Sequence, residues 1–405
     1  MIFTIAWRSV VRNRRRTVVT TGAMSLAGLI MIFYVSLLDG YIVAMKRNAL
    51  TLDLGEIQIH ATGYRTDPDL FTRIDDHQSI IDAIVQDKLH ASPRLFGFAL
   101  AAAKDTSAGV QLRGVDVARE KTVTRIHERV DQGQWLDPSD PTGAVIGRKL
   151  ARSLGVSVGA ELVILGQGAD GSMANELLKV RGVLQTVSEI IDRSGVFIPE
   201  ATFRELMVVP DGAHEIAIIS PTPLEDLDAA VARVARHAEG HDTASWRDLQ
   251  PVIARMLDMS KGSVMFLLLV CYAAVAVVVL NATLMSVFER MREFGIMKAV
   301  GVSPWQIAGI VLVEAALQCT LAALVAVAGG VPLALYYQRH GIDLTSLLDS
   351  GSFAGVAIDP IWYTSVTPEA VLTPVIMLFV VMGFAVIYPG IKAAVLQPLD
   401  AMRHR

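Results

Sequence analysis

The chain has 405 residues, 52% of them apolar and 19% charged, with a formal net charge of −4 and a positive mean hydropathy. That apolar share exceeds what soluble domains carry and points to a membrane class. The mildly acidic balance, with no basic stripe away from the flanks of the apolar runs, argues against nucleic acid as a partner.

Residues 1–16 hold Arg8, Arg12, Arg14, Arg15 and Arg16 and no acid. They precede the first of four charge-free runs, 17–38, 263–288, 315–338 and 370–391. Each exceeds the about 20 residues needed to cross roughly 30 Å of hydrocarbon, so four crossings are predicted. The first run is too long for a signal peptide and no small-x-small cleavage pattern precedes Asp39, so an uncleaved span is expected. Lys and Arg set the orientation. The N-terminal segment, the 289–306 loop (Arg290, Arg292, Lys298) and the tail (Lys392, Arg403, Arg405) are basic, whereas 339–369 holds one base and four acids. Both termini and the 289–306 loop are therefore expected in the cytoplasm and the large region between the first two spans outside.

That outer region alternates strand and helix signals. GEIQIHA (55–61) has the period-two pattern of a half-buried strand, 75–89 reads as a helix, and LFGFALAAA follows it. In AVIGRKLARSLGVSVGAELVILG (144–166) a helix stops at Gly155 and a turn leads into a strand. Strands are predicted at 178–187, 195–199 and 214–220, with helices at 200–207 and 223–238. The pattern is mixed α+β, in two subdomains. Helix-compatible sequence continues past the first span through 39–50. Ser245 with Asp248 forms a capping-box pattern before a helix that only Pro251 interrupts, so rigid stalks are expected on both sides of the domain. Cys271 and Cys319 both fall inside spans, which leaves the outer domain without a disulfide.

The predicted order is thus a cytoplasmic amphipathic segment (1–16), the first span and stalk (17–50), an extracytoplasmic α+β domain (51–244), and the second stalk and span (245–290). A cytoplasmic segment (291–303), the third span (304–338), a short outer loop (339–366), the fourth span (367–391) and a cytoplasmic tail (392–405) complete it. The fold class is an α-helical membrane protein with four transmembrane helices plus a large α+β extracytoplasmic domain between the first and second. Ser303-Pro304-Trp305-Gln306 opens the third span as a capping box with proline at N1. Thr367-Pro368-Glu369 opens the fourth in the same way, and Trp305, Trp362 and Tyr363 are placed at the interfaces.

No catalytic constellation is present: GxxxxGKS/T, HExxH and CxxC are absent, and the His237/His241 pair is separated by a helix-breaking Gly240. Asn281 and Glu314 are the polar residues that stand out within spans and need partners there. Gly329, Gly330 and Pro332 permit a bend or close packing in the third span. The stretch ERMREFGIMKAVGVSPWQ (289–306) carries five charges. Projected at 100° per residue, these charges interleave with apolar residues, so it offers no face for lying on a bilayer. The better reading is two short pieces. The second span runs out through 289–294, Gly295 allows a break, and an apolar turn ended by Gly301 exposes Ile296, Met297 and Val300 beside Lys298, a form suited to a protein groove. A solvated connector is the alternative.

From Asn281 to Glu314 the pattern N…ERMREFGIMKAVGVSPWQI…E resembles the signature of FtsX-like permeases of ABC transporters. AWRSVVRNRRRT (6–17) is similar to that family's amphipathic entry, and YPGIKAAVLQPLDAMR (388–403) to its tail. SLLDGYIVAMKRNALTLDLGEIQIHA (36–61) and VIGRKLARSLGVSVGAELVIL look most like the lipoprotein-releasing (Lol-type) permeases, with macrolide-exporter-type permeases next. The resemblance implies a non-catalytic subunit of the bacterial inner membrane that pairs with a second permease copy or paralogue. Two ABC ATPase subunits would dock below it. ATP and magnesium would be bound by those ATPases, and no cofactor by this chain. A periplasmic lipoprotein carrier and membrane lipids are the further partners implied. ATPase coupling would fall to Glu289, Arg290, Glu293, Gly295, Ile296, Met297, Lys298, Val300 and Gly301. Cargo would be lined by Met31, Tyr34, Leu38, Met265 and Leu269. Efflux of hydrophobic small molecules or peptides, and mechanotransmission to envelope enzymes, are the rival functions.

Overall fold

The computed structural model describes residues 2–222, 224, 226–345, 352, 353, 356, 357 and 360–395. The chain forms two compact units. One, mostly helical, comprises Met1–Val43, Leu257–Leu344 and Ile361–Arg405; the other, built on a sheet, comprises Ala44–Met256 with Thr345–Pro360. Helix α1 (Ile2–Arg12) and the long α2 (Arg14–Ala49) open the chain and are parted only by Asn13. A π-helical turn, Leu50–Leu54, follows and is stopped at Gly55, whose φ of 74° suits a residue without a Cβ.

In chain order the sheet unit contains β1 (Ile57–Ala61), α3 (His77–Gln86), β2 (His90–Ala103), β3 (Thr106–Val115), α4 (Val117–Val123), β4 (Val130–Gly133), β5 (Gly143–Ile146) and α5 (Arg148–Leu154). There follow β6 (Glu161–Gln167), β7 (Met173–Leu184), α6 (Glu189–Ser194), β8 (Gly195–Pro199), α7 (Glu200–Met207), β9 (Glu215–Ile219), α8 (Leu227–His237), β10 (His241–Ser245) and α9 (Trp246–Leu249). One hydrogen-bonded path runs β10-β1-β9-β2-β3-β8-β5-β7-β4, with β6 pairing β2 and β7. The region expected as two subdomains is therefore threaded by a single ten-stranded sheet with separate apolar clusters along it. Leu95, Leu112, Ile164 and Phe203 belong to one, and Ile57, Ile59, Ile84 and Ile218 to another.

Strand β1 departs from the half-buried expectation: all five of its residues are buried. It lies between β10 and β9. Ile57 and Ile59 join the apolar cluster, while Gln58 and His60 are buried against polar partners on the opposite side. The alternation was real, but its polar half is buried among polar groups instead of facing water. Helix α5 ends, as expected, at a left-handed Gly155. The Ser245–Asp248 capping box is present, at the head of short α9.

The helical unit continues with α10 (Pro251–Glu289), α11 (Met291–Ala299), α12 (Pro304–His340) and α13 (Pro368–Val395). Four helices among the described residues are long and apolar enough to cross a bilayer: Arg14–Leu54, Pro251–Glu289, Pro304–His340 and Pro368–Val395. Helix α12 starts on the expected capping box with Pro304 at its first turn, and Thr367 Oγ1 accepts from the Ala370 amide at the head of α13. The glycines of α12 serve close packing. A Cβ on Gly28 of α2 would meet that of Ala326 at 2.8 Å, and one on Gly329 would lie 2.8 Å from Leu29. Small residues at such a crossing let helix backbones approach in lipid. Cys271 and Cys319 are free. Arg403, Arg405, the tail beyond 395 and most of the 346–359 loop lie outside the described residues.

Candidate functional site around the turn between α10 and α11

Helix α10 ends at Glu289. Arg290 takes φ −106° and ψ 12°, outside the helical well, and α11 begins after it. This corrects the expected break at Gly295, which lies inside an unbroken α11 and is buried beside Phe294. Glycine costs a helix about 1 kcal/mol in propensity, and packing overrides that preference here. The far end is as expected. Gly301 has φ 99°, the Val302 amide donates to the Met297 carbonyl, and the Gly301 amide donates to that of Lys298. That pair of bonds is a Schellman motif, which needs the left-handed glycine.

Two of the residues expected on the docking face are there: Ile296 is 51% exposed and Val300 82%. Two are not. Met297 is half-buried against the helical core, because an apolar side chain one position from Ile296 points to a different side of the helix. Lys298 turns back to donate to the Ala394 carbonyl, and burial lowers its pKa.

Arg290 also points inward, with only 6% of its surface exposed. Its Nη1 donates to Glu314 Oε2 at 3.0 Å and to Ser9 Oγ at 2.7 Å, and its Nε to Glu293 Oε2 at 3.0 Å. Arg12 donates to Glu293 Oε1 at 2.9 Å. Arg16 reaches Glu289 at 3.0 Å, Ser286 at 2.7 Å and Glu314 Oε1 at 3.7 Å. Burial pushes the Glu293 carboxyl up, but the bonds and charges of Arg12 and Arg290 outweigh it and hold the group below its ordinary value. Glu314 thus finds the basic cluster as its partner, whereas Asn281 lies exposed on α10 and outside this network. The network joins α1, α2, α10, α11 and α12. Its exposed bridges are worth roughly 0–1 kcal/mol each. Breaking the buried Arg290–Glu314 pair costs about 3–5 kcal/mol, so that pair dominates. Sequence reading missed Ser9 and Ser286 as members; Arg12 and Arg16 belong to the acid-free arginine run that it had singled out.

The sheet unit holds a second polar cluster that sequence reading did not single out. Arg94, 4% exposed, donates to Glu120 at 2.7 Å, to Glu215 at 2.7 Å and to the Asp53 carbonyl at 2.6 Å. Arg113 donates to Asp53 Oδ1 at 2.5 Å and lies over the rings of Phe96 and Phe197. Burial would raise Glu215, but Arg94 and His60 together bring it down to about 2. Asp53, Arg94, Phe96, Arg113 and Glu215, with Gln58 and Tyr64, line a cavity of about 300 Å³. A lone Arg in the apolar run of β2 was the clue. Nearby, His214 is fully buried, and burial lowers it to about 4. Its Nδ1 accepts from the Phe96 amide at 2.9 Å, which suits a neutral ring.

The five residues expected to line a cargo path are not brought together. Met31 is buried in the helical core with Tyr34 packed against it, Leu38 is half-buried, and Met265 and Leu269 are each 47% exposed. A cleft of about 250 Å³ within this unit takes only Met265 of the five, together with Val35, Asp39, Val264 and Glu369. Depth along a helix was legible, but not which face packs inward. His237 and His241 are each bonded to an Asp, Asp87 and Asp76, and the described residues contain no group that could hold a metal ion.

Two family descriptions match the chain: "MacB-like periplasmic core domain" over residues 17–237 and "FtsX-like permease C-terminal" over residues 265–398. The lipoprotein-releasing system transmembrane protein LolC of Xylella fastidiosa is 24% identical over 309 residues, 72% of each chain. Its counterpart in Neisseria meningitidis is 22% identical over 334 residues, 78% of each chain. Among solved structures, the periplasmic region of MacB from Actinobacillus actinomycetemcomitans is similar with a TM-score of 0.38 at 12% identity, covering 53% of this chain and 97% of that one. With four helices able to cross a bilayer, an α+β sheet domain, and matches that cover more than half of its length, the chain belongs to the FtsX-like permeases with a MacB-like periplasmic core domain.

Proposed function

We propose that this chain is the membrane subunit of an ABC transporter that releases lipoproteins from the bacterial inner membrane. Both termini and α11 lie in the cytoplasm in this reading, and the α+β domain stands outside, between the first and second spans. Hydrolysis belongs to a separate ATPase dimer that binds ATP and magnesium, and this subunit works paired with a second permease.

The observation that carries the reading is α11 itself. It is a short helix stopped by a Schellman glycine, with Ile296 and Val300 exposed and its start tied to α1 and α12 through Arg290 and Glu293. Apolar groups offered to the outside on a rigidly held helix suit a protein groove, and a solvated connector needs neither. The LolC relatives support lipoproteins as cargo.

Val300→Asp tests the docking. The site is exposed, so the fold should tolerate the change, while retention of the ATPase encoded alongside should drop at least tenfold on co-purification. Undiminished retention refutes docking through α11. For cargo, depletion of the chain should leave lipoproteins in the inner membrane. Normal lipoprotein sorting together with raised sensitivity to hydrophobic drugs would favour an efflux function instead.

A further inference from the structure

The start of α2 and the last turns of α10 enclose a cleft that the docking and cargo readings leave unused. It has a volume of about 670 Å³ and is lined by residues 12–16, Val19 and Thr20 on one side and by Val278, Ala282 and Glu289 on the other. Two of its four arginines are committed: Arg12 to Glu293 at 2.9 Å and Arg16 to Glu289 at 3.0 Å. Arg14 and Arg15 are exposed and have no ion pair among the described residues. With Glu289 already neutralised by Arg16, the cleft keeps a surplus of positive charge on those two side chains.

Its other walls are apolar and uncovered. Val19 is 62% exposed and Val278 45% exposed. Val278 lies about 16 Å along α10 from Glu289 at 1.5 Å per residue, so the cleft grades from a cationic rim into an apolar wall at the depth where hydrocarbon begins. A basic segment that only orients the chain needs no such cavity, and a solvated basic face needs no valine wall.

We propose that this cleft binds an anionic glycerophospholipid, with its phosphate between Arg14 and Arg15 and its first acyl carbons against Val19 and Val278. Basic pockets between membrane helices suit anionic headgroups, and charge complementarity selects this occupant. A zwitterionic headgroup would bring an ammonium against the arginines, and a soluble phosphate would leave the valines uncovered. The proposal rests on the membrane reading alone and is independent of cargo and ATPase. It also places the lipid beside the bridges to Glu289 and Glu293, which flank the Arg290 turn.

The test uses the purified full-length chain in mixed micelles titrated with fluorescent phosphatidylglycerol, cardiolipin or phosphatidylethanolamine. Both anionic lipids should be retained at least tenfold more tightly than phosphatidylethanolamine, and added salt should weaken them. The pair Arg14→Gln with Arg15→Gln should lose about 25-fold in anionic-lipid affinity, about fivefold per arginine. Val278→Trp, which leaves every charge in place and fills the apolar end, should weaken binding at least threefold. Equal retention of anionic and zwitterionic lipid by the unaltered chain overturns the proposal, as does undiminished binding by a correctly inserted double variant. Displacement by millimolar glycerol 3-phosphate as effective as by lipid would assign the site to a soluble phosphate and overturn it too. Should the double variant fail to insert, Val278→Trp decides, and unchanged affinity in that variant overturns the site.

Discussion

Arg290 and Glu314 are 24 residues apart and meet at 3.0 Å with both side chains at most one-tenth exposed. A buried pair of this kind is costly to break and much less costly to replace. Glu314→Met should therefore lower stability by about 3–5 kcal/mol by taking the buried carboxylate from the guanidinium, whereas combining it with Arg290→Met should recover most of the loss. Thermal melting of the four proteins in detergent measures the cycle, and a double variant no better than its worse parent would show that the pair is not the dominant link. His214 carries a pH prediction on the sheet unit. Its ring falls to about 4 from an ordinary 6.5, so the unfolded chain takes up a proton first as pH drops. The stability held by the neutral ring is complete above about pH 6.5 and is lost progressively down to about pH 4, by roughly 3 kcal/mol. His214→Asn keeps an acceptor for the Phe96 amide and should flatten that interval, as read by amide exchange of β2 and β9 across pH. Glu215, depressed to about 2 from 4.5, adds its own loss only below about pH 4.5. The two groups therefore separate on the pH axis.

At the scale of elements, α2 and α12 cross where Gly28 faces Ala326 and Gly330 faces Ile32. Gly28→Leu should cost about 1–3 kcal/mol by overpacking and lower the melting temperature in detergent, while Gly22→Leu, with nothing within 4 Å of its added Cβ, should not. This contrast also marks what the sequence made legible. The GG pair announced close packing, but not the helix that would fill it, because that partner is set by tertiary contact. Long charge-free runs, caps at Ser303 and Ser245 and the stop at Gly155 are local signals, and they were readable. Strands β3, β4 and β10 were not, since a strand's evidence lies in its partners: β10 has a polar sequence, HDTAS, and is a strand through its pairing with β1. Likewise the turn at Arg290 was hidden behind Gly295. Glycine is the stronger local breaker, yet the tertiary bonds of Arg290 placed the break five residues earlier. The 289–303 stretch was legible as a segment, but which of its side chains face outward was not.

For the whole molecule, the proposed function raises the question of how a push on α11 would reach the sheet. The chain reaches the sheet through the turn after α2 and leaves it through α9, and both points are fixed to strands, the entry to β2 and β3 and the exit to β1. Asp53 is held by Arg94 of β2 through its carbonyl and by Arg113 of β3 through its carboxylate. At the exit, Ser245 pairs with Ile57 of β1, and the Trp246 amide donates to the Glu56 carbonyl at 3.0 Å. Lys46, in the last turn of α2, lies 5.7 Å over the Trp246 ring, so entry and exit also touch each other. Arginine clamps of this kind are stiff because the guanidinium is planar and its bonds are charge-assisted. Under the proposed function, Arg113→Met should leave the ATPase bound and hydrolysing ATP while lipoprotein release falls at least tenfold, because Asp53 keeps its backbone bond to Arg94 but loses the bond that fixes its direction. Assaying hydrolysis and release on the same reconstituted complex separates the outcomes. Loss of both would mean a folding defect, which the melting temperature would report. Unchanged release at unchanged hydrolysis would mean that movement reaches the sheet by another route, with the exit at Trp246 the next place to cut it.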